Sequence, residues 1–112
     1  MSERGDLECV RDLLDAIVRI ERYLRRATYR RFLADSKTQD AVVRNLEIIG
    51  EAAKSISGDF KKGHKHIDWK GMAGMRDRLI HQYFGVNLDI VWSVARDKLP
   101  DLKRQLDALL QR

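Results

Sequence analysis

Nine residues near the middle of the chain, RDRLIHQYF from Arg76 to Phe84, gather side chains suited to work on a phosphodiester. An imidazole titrates near pH 6.5, so His81 can take or give a proton at neutral pH. A guanidinium offers a planar fork of donors matched to phosphate oxygens, and Arg76 supplies one. Asp77 stands one turn before His81, at the spacing that lets a carboxylate orient the ring and favour its protonated form. Arg76 and Tyr83 are about two helical turns apart and share a face, whereas Arg76 and His81 are roughly 140° apart around a regular helix. Unwinding toward Gly85, or a second copy of the chain, could bring arginine and histidine together. Each residue also has a plainer reading. Arg76 could bridge to Glu51 on another helix, Asp77 and His81 could be a surface ion pair, His81 could cap a helix end, and Tyr83 could belong to a core stripe.

The elements that must hold these groups are helical. Val10, Leu13, Leu14, Ile17, Ile20, Leu24 and Ala27 recur at three- and four-residue steps, which predicts a first helix from about Asp6 to about Thr28. SKTQ at Ser36–Gln39 has capping-box spacing, with Asp35 able to help. The second helix follows, with a stripe of Val42, Leu46, Ile49, Ala53 and Ile56 and a stop at Gly58. Gly50 inside it costs about 1 kcal/mol relative to alanine, which the close approach of another helix would justify. GDFKKGHKH, 58–66, is expected to be a loop. Asp68 can cap a third helix carrying Trp69, Met72, Met75, Leu79 and Ile80 and ending at Gly85. Asn87 can cap a fourth, with Leu88, Val91, Trp92, Ala95 and Leu99 along one side. Pro100 breaks the chain there or opens the next turn, and Leu102, Leu106, Leu109 and Leu110 make a short last helix. No strand-like alternation or internal repeat is present. The expected architecture is all-α, an antiparallel bundle of four to five helices in one domain.

The 112 residues suffice for a core without staples, and the single Cys9 excludes an internal disulfide, which fits a reducing compartment. No apolar run approaches the ~20 residues of a membrane span, and MSERGDLE lacks the apolar core of a secretion signal. A cytoplasmic protein without membrane attachment is expected. The net charge of +5 is localised: Arg19, Arg22, Arg25, Arg26, Arg30 and Arg31 face one acid, Glu21, within thirteen residues, and the remainder balances. Arg19, Arg22, Arg26 and Arg30 fall opposite the apolar stripe and form a candidate patch for RNA or an acidic protein partner, or simply a solvated face. His64 and His66 lack neighbouring ligands at metal-binding spacing, so no metal site is expected. Trp69 and Trp92 lie on apolar stripes and read as core or dimer contacts.

The string Arg76, four residues, His81, one residue, Tyr83 resembles the R-x4-H-x-Y signature of HepT-type proteins of the HEPN superfamily. EIIGEAAKSI (47–56) resembles that family's second-helix segment around Gly-Glu-Ala, and the chain from Trp69 to Leu110 resembles the family's C-terminal half. The resemblance spans about Leu7 to Leu110. It implies a helical homodimer that brings two motifs to one cleft and cleaves RNA without metal or cofactor, with Arg76 and His81 catalytic. It further implies a toxin paired with an MNT-type nucleotidyltransferase antitoxin that attaches AMP to Tyr83. Family members often carry asparagine after the motif arginine; Asp77 departs from this and is a supporting candidate. The alternative is a non-catalytic subunit that helps a nucleotidyltransferase hold nucleotide or substrate.

Overall fold

The structure, a computed structural model, describes residues 3–80 and 87–111. Among these residues every regular element is helical. The elements are α1 (Glu3–Leu24), α2 (Tyr29–Leu33), α3 (Ser36–Ser55), α4 (Gly58–Gly63), α5 (Trp69–Ile80), α6 (Leu88–Ser93), a π-helical turn (Val94–Lys98) and α7 (Leu99–Leu110). Three long helices and the continuous run 88–110 form the expected all-α antiparallel bundle, and two short helices serve as its corners.

The stripes read from the sequence build the core. Val10, Leu13, Ile17, Ile20 and Leu24 of α1 meet Val42, Leu46, Ile49 and Ala53 of α3, with Val91, Leu99 and Leu106 closing the other side, all buried. Asp6 ties the two long helices where α1 begins and α3 ends. It is 2% exposed and accepts hydrogen bonds from the Ser57 backbone N–H (2.8 Å) and the Ser57 hydroxyl (2.7 Å), so its buried oxygens are satisfied.

Several boundaries differ from the sequence expectation, each for a local reason. The first helix ends at Leu24, because Thr28 is extended and its side chain accepts from the Arg31 N–H, which starts α2 anew. Asp35, not Ser36, caps α3: it accepts from the Thr38 N–H (3.1 Å) and hydroxyl (2.6 Å). Gln39 does not fold back onto Ser36. Its amide donates to the Phe32 and Leu33 carbonyls at 2.9 and 3.1 Å, closing the end of α2. The second long helix stops at Ser55, and the expected loop 58–66 contains α4, capped by Ser57 and anchored by Phe60 against His64 and Trp69. Of the two readings of Pro100, the opening of the next turn holds and the break does not. The Leu99 N–H reaches back five residues to the Val94 carbonyl, and this wider π turn lets Pro100 sit in the first turn of α7, where its missing N–H costs little. Asp68 and Asn87 cap α5 and α6 as expected. Gly85, the expected end of the third helix, lies outside the described residues.

The close approach inferred at Gly50 is present. A Cβ there would collide with the Arg76 Cβ and lie 2.8 Å from the Met72 carbonyl oxygen, so α5 crosses α3 at the glycine. Gly50→Ala gains about 1 kcal/mol of helix propensity but forces an overpacked helix crossing that costs about 1–3 kcal/mol. Urea denaturation is expected to show a net loss for Gly50→Ala. The same change at Gly74, where a Cβ meets open space, is expected to raise stability.

Candidate active site

Arg76 occupies the site because α3 has no side chain at Gly50. The first two carbons of the Arg76 side chain lie on the glycine, and three-quarters of the side chain is buried. That packing restricts its swing and aims the guanidinium along the α3–α5 seam. Nη1 of Arg76 lies 3.4 Å from Asp77 Oδ1, while Nε is buried and finds no acceptor among the described residues. A buried donor left unpaired costs free energy, so Arg76 is held here by packing and charge rather than by a full set of bonds.

Asp77 also accepts a hydrogen bond from the Lys54 ammonium across the seam. The Lys54 bond chiefly, with Arg76 adding to it, holds the Asp77 carboxyl below the usual range against the opposing pull of desolvation. Two cations thus share one carboxylate, and the trio keeps a net positive charge. Lys54 offsets the charge of Asp77. Lys54 was not singled out from the sequence. Its signal was its place one turn after Gly50, on the face of α3 that the glycine opens to α5. Glu51, the alternative partner of Arg76, makes no ion pair with it among the described residues.

His81 and Tyr83 lie outside the described residues. Arg76 and Asp77 are therefore the members of the motif that the structure brings together. Arg19 and Arg22 on α1, Arg26 in the turn after it and Arg30 on α2 are all exposed, as expected of a patch opposite the core stripe. Trp69 is core: it is buried and donates from its indole to the His64 carbonyl at 3.1 Å. Trp92 is half-buried against Phe32 and Tyr29, with the Arg96 guanidinium 4.9 Å from its ring centre. The Cys9 thiol is pushed up by burial and by Asp12, Asp6 and Glu8, the reverse of an activated nucleophile. Among the described residues no helix is long and apolar enough to cross a membrane.

A family profile described as "Ribonuclease HepT-like" matches residues 13–109. The chain belongs to the HepT-like ribonuclease family. It is 45% identical over 107 residues to a Thermococcus cleftensis protein named "Probable ribonuclease HepT", covering 96% of this chain and 97% of that one. It is 40% identical over 105 residues to a Methanocaldococcus jannaschii protein named "Putative RNase MJ0127", covering 94% and 81% respectively. No solved structure matches the chain significantly. The motif string, the Gly-Glu-Ala segment and the C-terminal half, from which the resemblance was drawn, all fall within or overlap the matched span.

The Lys54–Asp77 contact has a measurable signature. Carboxyl-detected NMR is expected to show Asp77 titrating below the ordinary carboxylate value of about 3.9, and moving up in Lys54→Met. Because the folded-state value is lowered, any stabilisation it brings is present above the ordinary value and is lost as the pH falls through the lowered one.

Proposed function

We propose that the protein is a metal-independent RNA endonuclease that works as a homodimer. The observation that carries this reading is the guanidinium of Arg76, fixed by the Gly50 crossing and left with surplus positive charge by Lys54, in a chain of the HepT-like ribonuclease family. Cutting RNA without metal requires a base for the 2′-hydroxyl, an acid for the departing 5′-oxygen and a cation for the crowded phosphate. In this reading the two His81 imidazoles of a dimer divide the proton transfers, and Arg76 holds the phosphate oxygens. The 2′-oxygen bonds to phosphorus as the bond to the 5′-oxygen breaks, giving a 2′,3′-cyclic phosphate and a 5′-hydroxyl. Asp77 supports the site by steadying Arg76 and, at its four-residue spacing, the imidazole. Arg19, Arg22, Arg26 and Arg30 serve RNA or partner binding.

The biological setting proposed is a cytoplasmic toxin–antitoxin pair. An MNT-type nucleotidyltransferase neutralises the nuclease by transferring AMP from ATP to the Tyr83 oxygen, with pyrophosphate leaving. The bulk and negative charge of AMP beside the phosphate-holding cation would oppose RNA entry.

Purified protein is expected to cleave RNA in the presence of EDTA. His81→Ala should lower single-turnover cleavage by roughly 10²–10⁴-fold. Arg76→Ala should lower it by roughly 10²–10³-fold. Equal cleavage by all three proteins contradicts the assignment, and RNA binding without cleavage by the wild type favours the non-catalytic subunit. Incubation with the neighbouring nucleotidyltransferase and ATP is expected to add the mass of AMP to wild type and not to Tyr83→Phe, read by intact-mass spectrometry.

A further inference from the structure

We propose that the elbow where α1 gives way to α2 is a track for single-stranded RNA, built from arginines and exposed tyrosines. This rests on the reading of the protein as acting on RNA and names a second contact surface for that substrate. The elbow encloses a cleft of about 440 Å³ lined by Arg22, Arg25, Arg26 and Arg31, with Tyr23 on its wall. It therefore selects differently from the helical-wheel patch: Arg25 and Arg31 enter, and Arg19 and Arg30 do not line it.

None of the four guanidiniums in this cleft is ion-paired among the described residues. One acid, Asp35, also lines the cleft, so the lining keeps a net charge of about +3, and a second, Glu21, lies nearby. Asp35 is engaged by the Thr38 N–H and hydroxyl as the cap of α3. Glu21 pairs with Lys103 at 3.2 Å. Arg96 adds a further cation at the elbow, with Nη1 3.4 Å from the Leu24 carbonyl at the end of α1. Four mutually repelling forks around a concavity are relieved by a chain of phosphates, each taking a pair of donors.

The aromatic groups decide for a nucleic acid strand over a protein surface. Tyr23 and Tyr29 are each 39% exposed, large flat rings interleaved with the arginines. Tyr29 is backed by Trp92 at 5.7 Å, so its ring is braced rather than swinging free. An exposed ring on the wall of a cationic groove, Tyr23, with a braced ring at the same corner outside it, Tyr29, offers flat faces on which unpaired bases stack. A docked protein would instead call for a broad apolar centre with charge at the rim, and here Ala27 and Phe32 are the apolar residues among four arginines, Asp35 and Thr38.

The track lies at the start of α3, whereas α5 crosses α3 at Gly50 and Lys54, in the last third of that helix. The start of α3 meets α2 through Gln39, α5 begins beside His64 beyond the end of α3, and it has come back along α3 to Gly50 by Arg76.

The test uses the full chain and a fluorescein-labelled 12-mer of 2′-O-methyl RNA, which binds without being cut, read by anisotropy as salt is varied. Arg25→Ala/Arg26→Ala is expected to weaken binding about tenfold or more and to lower the salt slope by about 1.4, two single-strand phosphate contacts. Tyr23→Ala is expected to weaken binding about fivefold or more with little change in slope. Arg104→Ala, on the exposed face of α7, should bind like wild type, and circular dichroism should show all variants folded. Unchanged binding by both the double arginine and the tyrosine variants overturns the track. So does a duplex competing as well as the single strand, or loss of a nucleotidyltransferase complex with RNA affinity intact. Because the probe cannot be cleaved, elbow-dependent binding by a wild type that cuts no RNA leaves the track standing and removes the nuclease reading.

Discussion

The structure turns on the missing side chain at Gly50. Helices normally keep an interaxial distance of 8–10 Å set by the side chains between them, and glycine lets α5 come in until its backbone and the Arg76 stem lie on α3. One contact therefore does two jobs. It joins the motif-bearing helix to the central helix of the core, and it converts a long, flexible arginine into a positioned one. Under the proposed reading, part of the entropy that an arginine side chain would lose on gripping a phosphate is already lost at folding, when the hydrophobic stripes of α1 and α3 can offset it. The same crossing brings Lys54 over Asp77, so the charge balance around Arg76 depends on it too.

Charge is distributed on two scales. At the motif, two cations and a carboxylate form a compact set within one helix seam. At the α1–α2 corner four guanidiniums share a cleft with one carboxylate, Asp35, which is engaged as the cap of α3, while Glu21 pairs with α7. A protein selected only for stability has little use for either arrangement: the first leaves a buried donor unpaired, the second accumulates like charge. Both become favourable when a polyanion binds. A strand that touches both places would be gripped by a diffuse cationic surface and acted on at a focused one, which separates affinity from chemistry.

Much of this was legible in the sequence, and the parts that were not have identifiable causes. The long helices followed from apolar periodicity, and Gly50 announced a close approach because glycine inside a strong stripe is otherwise a cost. The corners were harder. Thr28 and Ser57 are caps that act over a few residues, so α2 and α4 carry no periodic stripe to read. Gln39 fitted a capping box by spacing, yet its amide serves the carbonyls of the preceding helix, a tertiary choice that spacing does not encode. Pro100 left a break or the opening of a new turn both open; it opens the turn, and the π turn that keeps the helix continuous there is invisible in composition. At the site, Arg76 and Asp77 could be named from the motif. Their partner Lys54 had a weaker signal, its place one turn after Gly50, because a lysine on an exposed helix face is ordinary until the facing helix is known. The arginine run was evident, but which of its members face one another depends on where α1 ends, and the sequence placed that end a turn too late.

The central claim is that Arg76 acts through the fixed geometry of its fork and not merely through its charge. The most direct measurement is single-turnover RNA cleavage by Arg76→Lys beside binding of the uncleavable oligonucleotide. The account predicts that lysine, which keeps the charge and loses the planar pair of donors, binds RNA within a few-fold of wild type and cleaves it far more slowly. Cleavage by Arg76→Lys at the wild-type rate would contradict it.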